Sequence, residues 1–161
     1  MKKVLALVLV LMMVLSCSAM AADQLGFLPP AMTSPFYAAC IKGAEPVAAA
    51  LGYELVIMAP EAEDDYATQT SMMEDMITQG VKGIAVCGIN LDALIPAIKK
   101  ANEAGVPVVM FNTITEIEGA EVYAYSGYNQ YNGGAKIADW VNEKTGGKAV
   151  AAIIEGLPSD F

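Results

Sequence analysis

The sequence predicts an α/β fold built on a doubly wound, Rossmann-like parallel sheet. Strand-like and helix-like segments alternate regularly from residue 25 to residue 154. The strand segments are almost continuously apolar, which is typical of strands covered by helices on both faces. Right-handed crossovers between such strands produce the doubly wound arrangement.

Strands are predicted from short runs of apolar and branched residues bounded by turn residues. They lie at 25–28, 54–58, 83–87, 106–111, 121–125 and 149–154. The fourth run contains Pro107 near its start, where a proline is tolerated because it removes only its own N–H from the ladder.

Helices are predicted between these strands at 35–51, 66–79, 92–104 and 131–144. Ser34 suits the N-cap of the first helix, and Pro35 suits its first helical position. Gly52, Gly80 and Gly105 follow the first three helices, and glycine is common there because the chain often turns left-handed after a helix.

The N-terminus has the pattern of a secretion signal. Lys2 and Lys3 precede an apolar run, 4–15, which is shorter than the ~20 residues needed to cross a bilayer. Ala19-Met20-Ala21 is an A-x-A cleavage site. We therefore expect residues 1–21 to be removed and the chain to be exported, to the periplasm or to the outer face of the cytoplasmic membrane.

Cys17 leaves an alternative open, because Val14-Leu15-Ser16-Cys17 is similar to a bacterial lipobox. In that case the signal ends at residue 16 and Cys17 carries lipid. Cleavage after Ala21 is favoured because the first strand begins near Gln24, which leaves little chain for a tether.

Charge and composition exclude several classes of function. The chain has a net charge of −9, with 18 acidic residues, 9 basic residues and no histidine, and every basic residue is a lysine. Nucleic acid is excluded as a partner because its phosphates require basic contacts. Phosphorylated ligands are disfavoured because they usually recruit arginine forks.

Catalytic and metal-binding patterns are missing from the sequence. Without histidine there is no Ser-His-Asp or Cys-His arrangement, and no Cys/His cluster has zinc spacing. The sequence also lacks the G-x-S-x-G elbow, the P-loop and a G-x-G-x-x-G after the first strand. We expect no enzyme activity, no metal and no cofactor.

Four acidic residues precede the second helix and could supply a carboxylate pair for hydrolysis or ligands for calcium; they are Glu61, Glu63, Asp64 and Asp65. We interpret them instead as a solvated loop in which Asp64 or Asp65 lies near the helix N-terminus.

Residues that follow the strands are the ligand-binding candidates, because ligands of open α/β sheets lie beyond the carboxyl ends of the strands. These segments are 29–37, 87–90, 112–113, 126–130 and the chain from 155 onward. They are rich in amides, hydroxyls and aromatic rings, which suit a neutral polyhydroxylated ligand. Asn90, Asn112 and Thr113 are binding candidates on this ground, and Cys87, Asn129 and Gln130 are candidates for the pocket or a hinge.

Other conspicuous side chains are interpreted as packing. Four residues at helical spacing are predicted to cover the sheet: Met72, Met73, Met76 and Ile77. Cys40 is predicted to be buried on its helix, and a Cys40–Cys87 disulfide is not expected. Cys87 is interpreted as a pocket wall rather than a nucleophile because no base is available to activate it. Trp140 is assigned to core or lobe packing rather than to ligand stacking.

Several motifs along the chain share the pattern of one protein family. They are Ser34-Pro35-Phe36-Tyr37 with Lys42-Gly43-Ala44 and Leu51-Gly52-Tyr53, Glu74-Asp75-Met76-Ile77 with Gln79-Gly80-Val81, Asp92-Ala93-Leu94 with 101–109, and Asn129-Gln130-Tyr131-Asn132-Gly133-Gly134. Together they resemble the type I periplasmic sugar-binding proteins, the group that contains the ribose, galactose and xylose receptors of ABC importers.

The resemblance implies two α/β lobes joined by a hinge, with the ligand held in the cleft between them. On this basis we expect residues 22–113 to form the first lobe. Residues 114–161 would form the hinge crossing and the start of an incomplete second lobe. The family is about twice as long, so we expect this chain to be an N-terminal fragment.

The resemblance also assigns roles to individual residues. Phe36 and Tyr37 would stack on the sugar and Ser34 would bond a hydroxyl, although Phe36 could equally belong to the core. The family commonly has an Asp-Arg pair where this chain has Asn112 and Thr113, and the neutral pair would form weaker hydrogen bonds.

The function implied by the resemblance is capture of a sugar or related polyol and its delivery to an ABC permease, by a protein that is a monomer in its full-length form. The alternative is a receptor of the same fold that presents a sugar-like signal to a chemoreceptor or sensor kinase. A transcription repressor of this fold is disfavoured because it needs a helix-turn-helix where the secretion signal lies. An exported α/β enzyme is disfavoured because no catalytic constellation is visible.

Overall fold

Five parallel strands form one sheet in the computed structural model, which describes residues 22–154. The strands are β1 (Asp23–Leu28), β2 (Tyr53–Ile57), β3 (Ile84–Val86), β4 (Val108–Phe111) and β5 (Ala124–Ser126). Their order in the sheet is β2-β1-β3-β4-β5. The predicted α/β class and parallel sheet are therefore confirmed.

Four helices connect and follow these strands: α1 (Pro35–Ala50), α2 (Tyr66–Gln79), α3 (Leu91–Glu103) and α4 (Gln130–Thr145). Pro35 stands in the first turn of α1 as predicted, although the Ser34 side chain makes no capping hydrogen bond. Gly52, Gly80 and Gly105 all have left-handed backbone angles after their helices, which confirms their predicted role.

The strand order fixes which helices share a face of the sheet. The chain steps from β1 to β2 in one direction and then returns to β3, β4 and β5 in the other. Right-handed crossovers place α1 on one face and α2 with α3 on the opposite face. The reversal between β1 and β3 creates a crevice at the carboxyl ends of these strands, which is where ligands bind in open α/β sheets.

The hydrophobic core lies between the sheet and the α2–α3 pair. Met73 and Met76 of α2 are fully buried there, and Met72 and Ile77 pack against the same cluster. The predicted packing role of these four residues is confirmed. Leu94 and Ile98 bring α3 into the same core.

The fifth strand, predicted at 121–125, is present as β5, and it joins the sheet of the first four strands. Residues 121–125 were expected to open a second lobe, but β5 runs beside β4 in the same sheet, with Met110 opposite Tyr125. The backbone N–H of Tyr123 donates to the Val108 carbonyl at 2.8 Å. The reason is that β4 presents a free parallel edge directly to this segment, and pairing with it satisfies the backbone groups of both strands.

The strand predicted at 149–154 is wrong within the described residues. The described chain from 148 to 154 forms neither helix nor strand, and its apolar residues Val150, Ile153 and Ile154 are exposed. An apolar run becomes a strand only where a neighbouring strand can pair with it, and the described chain offers none there.

The predicted packing of three further side chains needs correction. Trp140 on α4 is 61% exposed, so it does not pack in a core formed by residues 22–154. Cys40 is only half-buried on α1. Phe36 is exposed, and its ring contacts Tyr37 edge-on, with centroids 5.2 Å apart. Phe36 is therefore not a core residue of the described part.

Candidate functional site

A cavity of about 630 Å³ opens at the carboxyl ends of the strands. Its walls come from the loop after β1 (Pro30), α1 (Tyr37), the loop before α2 (Glu63), the segment after β3 (Cys87, Gly88, Ile89, Leu91), the segment after β4 (Asn112, Thr113, Thr115), and the segment after β5 with α4 (Tyr128, Gln130, Gly133, Gly134, Ile137). The volume lies within the range of small-molecule sites, about 300–1,000 Å³.

Tyr37 is packed into the cavity wall by contacts with other aromatic rings. It lies in the first turn of α1, and its ring meets Phe111 edge-on with centroids 6.5 Å apart. Phe111 in turn stacks on Phe27 of β1 at 4.7 Å. Burial raises the pKa of the Tyr37 hydroxyl well above its ordinary value, and the neighbouring Cys87 thiol raises it further. The hydroxyl therefore remains a protonated hydrogen-bond donor at neutral pH.

Cys87 lines the cavity wall directly after β3. Its backbone N–H donates to the Leu28 carbonyl at 3.1 Å, and its side chain is only 7% exposed. The sulfur lies 3.7 Å from the Tyr37 hydroxyl oxygen and 3.9 Å from the Asn112 amide nitrogen. Burial raises the pKa of the thiol, and the hydrogen bonds from Tyr37 and Asn112 offset this only in part. A neutral thiol is a poor nucleophile, so its role here is that of a wall.

Asn112 and Thr113 enter the cavity at a sharp bend after β4. Asn112 has a φ of 64°, a left-handed conformation that asparagine tolerates better than most residues. Its backbone N–H donates to the Ser126 carbonyl at 2.7 Å. Gly127 passes so close that a Cβ there would lie 2.4 Å from the Thr113 nitrogen. The bend therefore depends on a glycine at 127.

Four of the predicted site residues do not line this cavity: Ser34, Phe36, Asn90 and Asn129. Asn90 caps α3, since its Oδ1 accepts from the Ala93 N–H at 2.9 Å. Asn129 caps α4 in the same way, accepting from the Asn132 N–H at 2.8 Å. The capping explains why these amides are turned into their own helices, and their contact with a ligand stays a prediction.

The residues that the sequence analysis missed at or near the cavity include Glu63 and Gln69. Glu63 was assigned to the solvent, but it lines the cavity and is the one carboxylate that does so among the described residues. Tyr128, which belongs to the segment 126–130 that the sequence indicated, lines the cavity on the α4 side. Gln69 lies behind the cavity, and its signal was a polar residue in line with Met73 and Met76 on an otherwise apolar helix face.

Electrostatically, the cavity is a neutral polar site with a single acidic residue at its wall. Hydroxyls, amides and a thiol surround aromatic surface, and no lysine lines the cavity within the described chain.

Residues 22–154 contain no cluster of His, Cys, Asp and Glu suited to a metal ion. Among the same residues, no helix is long and apolar enough to cross a membrane. The secretion signal predicted at 1–21 and Cys17 lie outside the described residues.

Comparison with known proteins identifies the family. The model of the periplasmic binding protein domain matches residues 25–161. This chain belongs to that family. The resemblance inferred from its motifs is thereby confirmed.

The curated relatives are sugar-binding proteins. The ribose import binding protein of Bacillus subtilis (strain 168) is 31% identical over 134 residues, which cover 83% of this chain and 43% of that protein. The D-allose-binding periplasmic protein of Escherichia coli (strain K12) is 29% identical over 150 residues, covering 89% of this chain and 48% of that protein. The chain thus spans about half the length of the curated relatives it matches.

A solved structure supports the same fold. The periplasmic solute-binding protein of an ABC transporter from Actinobacillus succinogenes 130z, solved with bound D-allose, superposes with a TM-score of 0.76 at 28% identity. The match covers 84% of this chain and 49% of that structure.

Proposed function

We propose that this chain carries the sugar-binding region of an exported solute-binding protein that captures a sugar or related polyol and delivers it to an ABC permease. The observation that carries the proposal is the cavity in which Tyr37, Cys87, Asn112 and Thr113 meet at the switch point of the sheet. The names of the relatives support a sugar as the ligand, since they bind ribose or allose.

The cavity wall has the chemistry that a sugar requires. The face of Tyr37 offers an apolar surface to the C–H side of a sugar ring, and its protonated hydroxyl can donate to a ring substituent. The Asn112 amide and the Thr113 hydroxyl can each bond a sugar hydroxyl. Because the only lining carboxylate is Glu63 and no lining residue is cationic, the described wall favours neutral ligands over acidic sugars.

The two sides of the cavity suggest how a cleft would be formed. Most of the wall belongs to the sheet region, whereas Tyr128, Gln130 and Ile137 approach from the segment after β5. We place the crossing between lobes after β5, near Gly127, instead of at residue 113, because β5 pairs with β4. The start of α4 would then be the beginning of the facing wall, and closure would bring it onto the ligand.

Thermal-shift measurements on the exported protein, expressed from its complete reading frame without the signal, test this function directly. D-ribose, D-allose, D-glucose and myo-inositol are added up to millimolar concentrations, and D-gluconate serves as the acidic comparison. A ligand at 100 times its dissociation constant stabilises the folded protein by about 2.7 kcal/mol. We expect a shift with at least one neutral sugar and none with gluconate.

The matched variants are Tyr37→Ala and Tyr123→Ala. Tyr37 lines the cavity, whereas Tyr123 lies at the opposite end of the sheet beside Pro107. We expect the sugar-dependent shift to disappear in the first variant and to persist in the second. The proposal fails if no sugar shifts the melting temperature, or if the loss of Tyr37 leaves the shift intact.

A further inference from the structure

Gln69 is a fully buried polar side chain that lies outside the cavity. It belongs to α2, has an exposed fraction of 0%, and is the one polar residue in the buried set of the described chain. Burying an amide is costly unless both its ends find partners. The two hydrogen bonds of the Gln69 amide therefore offset the cost of its burial and fix the groups that they bind.

Both ends of the Gln69 amide bind the loop that follows β3. Its Nε2 donates to the Cys87 carbonyl at 2.9 Å, and its Oε1 accepts from the Ile89 N–H at 2.9 Å. One side chain thus fixes the two backbone groups that flank Gly88. This loop has left the sheet, so strand pairing cannot hold these groups.

The loop after β3 also contacts β1 and α3. The Cys87 N–H bonds the Leu28 carbonyl of β1. A Cβ on Gly88 would lie 2.7 Å from a methyl of Leu94 and 2.9 Å from one of Leu91, so the loop packs directly on α3. Gln69 of α2 hydrogen-bonds the loop from a third side. The position of the loop relative to the sheet is therefore set by β1, α2 and α3 together.

The position of the loop determines where the Cys87 sulfur lies. The sulfur contacts two side chains that line the cavity. Tyr37 and Asn112 approach it at 3.7 and 3.9 Å. Sulfur is a weak hydrogen-bond acceptor. These contacts therefore orient the Tyr37 hydroxyl and the Asn112 amide but cost little to break when a ligand binds. A ligand oxygen could replace the sulfur at each of them.

From this chain of contacts we infer that Gln69 is a positioning residue for ligand binding: it holds the 87–89 loop at the height that orients Tyr37 and Asn112 toward a sugar. The inference rests on the proposed function for its link to sugar. Its structural half, the control of Cys87 by Gln69, stands on the geometry alone.

Asn102 provides a matched control within the same molecule. Its amide also bridges a carbonyl and an N–H, both of Glu121, at 2.9 and 3.0 Å. This bridge lies at the opposite end of the sheet, beside a second small cavity. Losing either bridge removes two hydrogen bonds, but only the Gln69 bridge touches the loop under the sugar site.

The experiment uses the full chain with Cys17→Ser and Cys40→Ala, which leaves Cys87 as the only one of the three cysteines. The rate of Cys87 alkylation by iodoacetamide is measured in this background and in its Gln69→Met and Asn102→Leu derivatives. Both substitutions replace the amide with an apolar side chain of similar size. Melting temperatures are recorded for all three proteins, so that reaction through global unfolding is recognised.

We expect Gln69→Met to raise the alkylation rate at least tenfold, because the freed loop exposes the sulfur. Asn102→Leu should lower the melting temperature and leave the alkylation rate near that of the background. Equal rates in the two variants at matched stability, or an unchanged rate in Gln69→Met, would overturn the inference. Should Gln69→Met fail to fold, Gln69→Asn serves instead, because the uncharged but shorter amide cannot bond both the Cys87 carbonyl and the Ile89 N–H, and a smaller rise in the alkylation rate is expected.

A second readout separates this inference from the proposed function. In the background protein, D-ribose or D-allose should slow the alkylation of Cys87 if sugar binds above it. Sugar protection in the background that is weakened at least tenfold in apparent affinity by Gln69→Met supports the whole inference. Absence of protection by any tested sugar counts against the proposed function, whereas the sugar-free rates still decide whether Gln69 positions the loop.

Discussion

Two regions of the molecule contain similar helices that differ in burial. Residues 22–127 pack α2 and α3 against the sheet, and Ile98 of α3 is completely buried. Residues 128–154 carry α4, in which no residue is buried within the described chain, and Ile137 is 67% exposed. Both α3 and α4 begin with an asparagine cap and carry apolar residues. The difference between them is the presence of a partner surface.

This contrast shows what an apolar face means in each region. In the first region, apolar faces meet a sheet and create a core. In the second, Tyr131, Ile137 and Trp140 are exposed around a helix that contributes to the cavity wall. The first region therefore supplies the stability of the described chain, and the second supplies part of the cavity wall.

The largest expected effect comes from a matched isoleucine pair. Ile98→Ala should lower the free energy of unfolding by about 2–5 kcal/mol, because it removes buried methylene groups and leaves a cavity. Ile137→Ala should change it by less than about 0.5 kcal/mol, as an exposed substitution does. Urea unfolding of both variants without sugar measures the difference. Equal losses in the two variants would break the comparison.

A matched glycine pair should give opposite signs. Gly127→Ala forces a Cβ against the Thr113 backbone, which we expect to destabilise the chain by about 1–3 kcal/mol. Gly133 lies in α4 with nothing within 4 Å of an added Cβ, so Gly133→Ala should favour the helix by about 0.5–1 kcal/mol. Chemical unfolding of the first variant and the helical circular-dichroism signal of the second provide the measurements. A stabilised Gly127→Ala variant would refute the close approach at the bend.

The smallest expected effect is a pH dependence at the cap of α2. The hydrogen bonds from Thr68, first from its side chain and then from its backbone, hold the pKa of Asp65 below its ordinary value. A depressed carboxyl pKa stabilises the fold above the unfolded-state pKa of about 3.9, and this contribution is lost as the pH falls through that value toward the folded pKa. The melting temperature of the wild type should therefore decrease relative to Asp65→Asn between pH 6 and pH 2.5.

Asp139→Asn is the control for that pH series, because it removes one carboxylate from α4 without touching a cap. We expect its melting temperature to follow the wild type more closely across the same range. A constant difference between wild type and Asp65→Asn at all pH values would show that the cap charge plays no part.

Local patterns in the sequence predicted most of the fold. Apolar runs and helical periodicity located the first four strands and all four helices, since these features are properties of the segments themselves. Helix 66–79 was predicted with the bounds that the structure has. The strand predicted at 121–125 is present as β5, but its partner strand was not predicted, and the strand predicted at 149–154 is absent from the described residues. Both differences arise because strand pairing depends on which edge is free in the assembled sheet.

The site could be predicted only in part for a related reason. Strand ends indicated Cys87, Asn112, Thr113 and Gln130, which do line the cavity. Gln69 could not be assigned from its own segment, because its partners lie in a loop 18 and 20 residues away along the chain. Asn90 was predicted to bind ligand and Asn129 to belong to the pocket or a hinge; the side chains of both cap their own helices, and neither prediction is tested by that.

Hydrogen exchange, with and without D-allose, tests the central contrast most directly. Without sugar, we expect amides in the middle of α3 to be protected at least a thousandfold and those of α4 to exchange within about tenfold of unprotected rates, since local stability follows buried packing. With saturating D-allose, protection should increase in residues 87–89 and 128–137 and stay unchanged in α3. If α4 is as protected as α3 without sugar, and D-allose alters neither segment, then α4 is not an unpartnered wall of a sugar cleft.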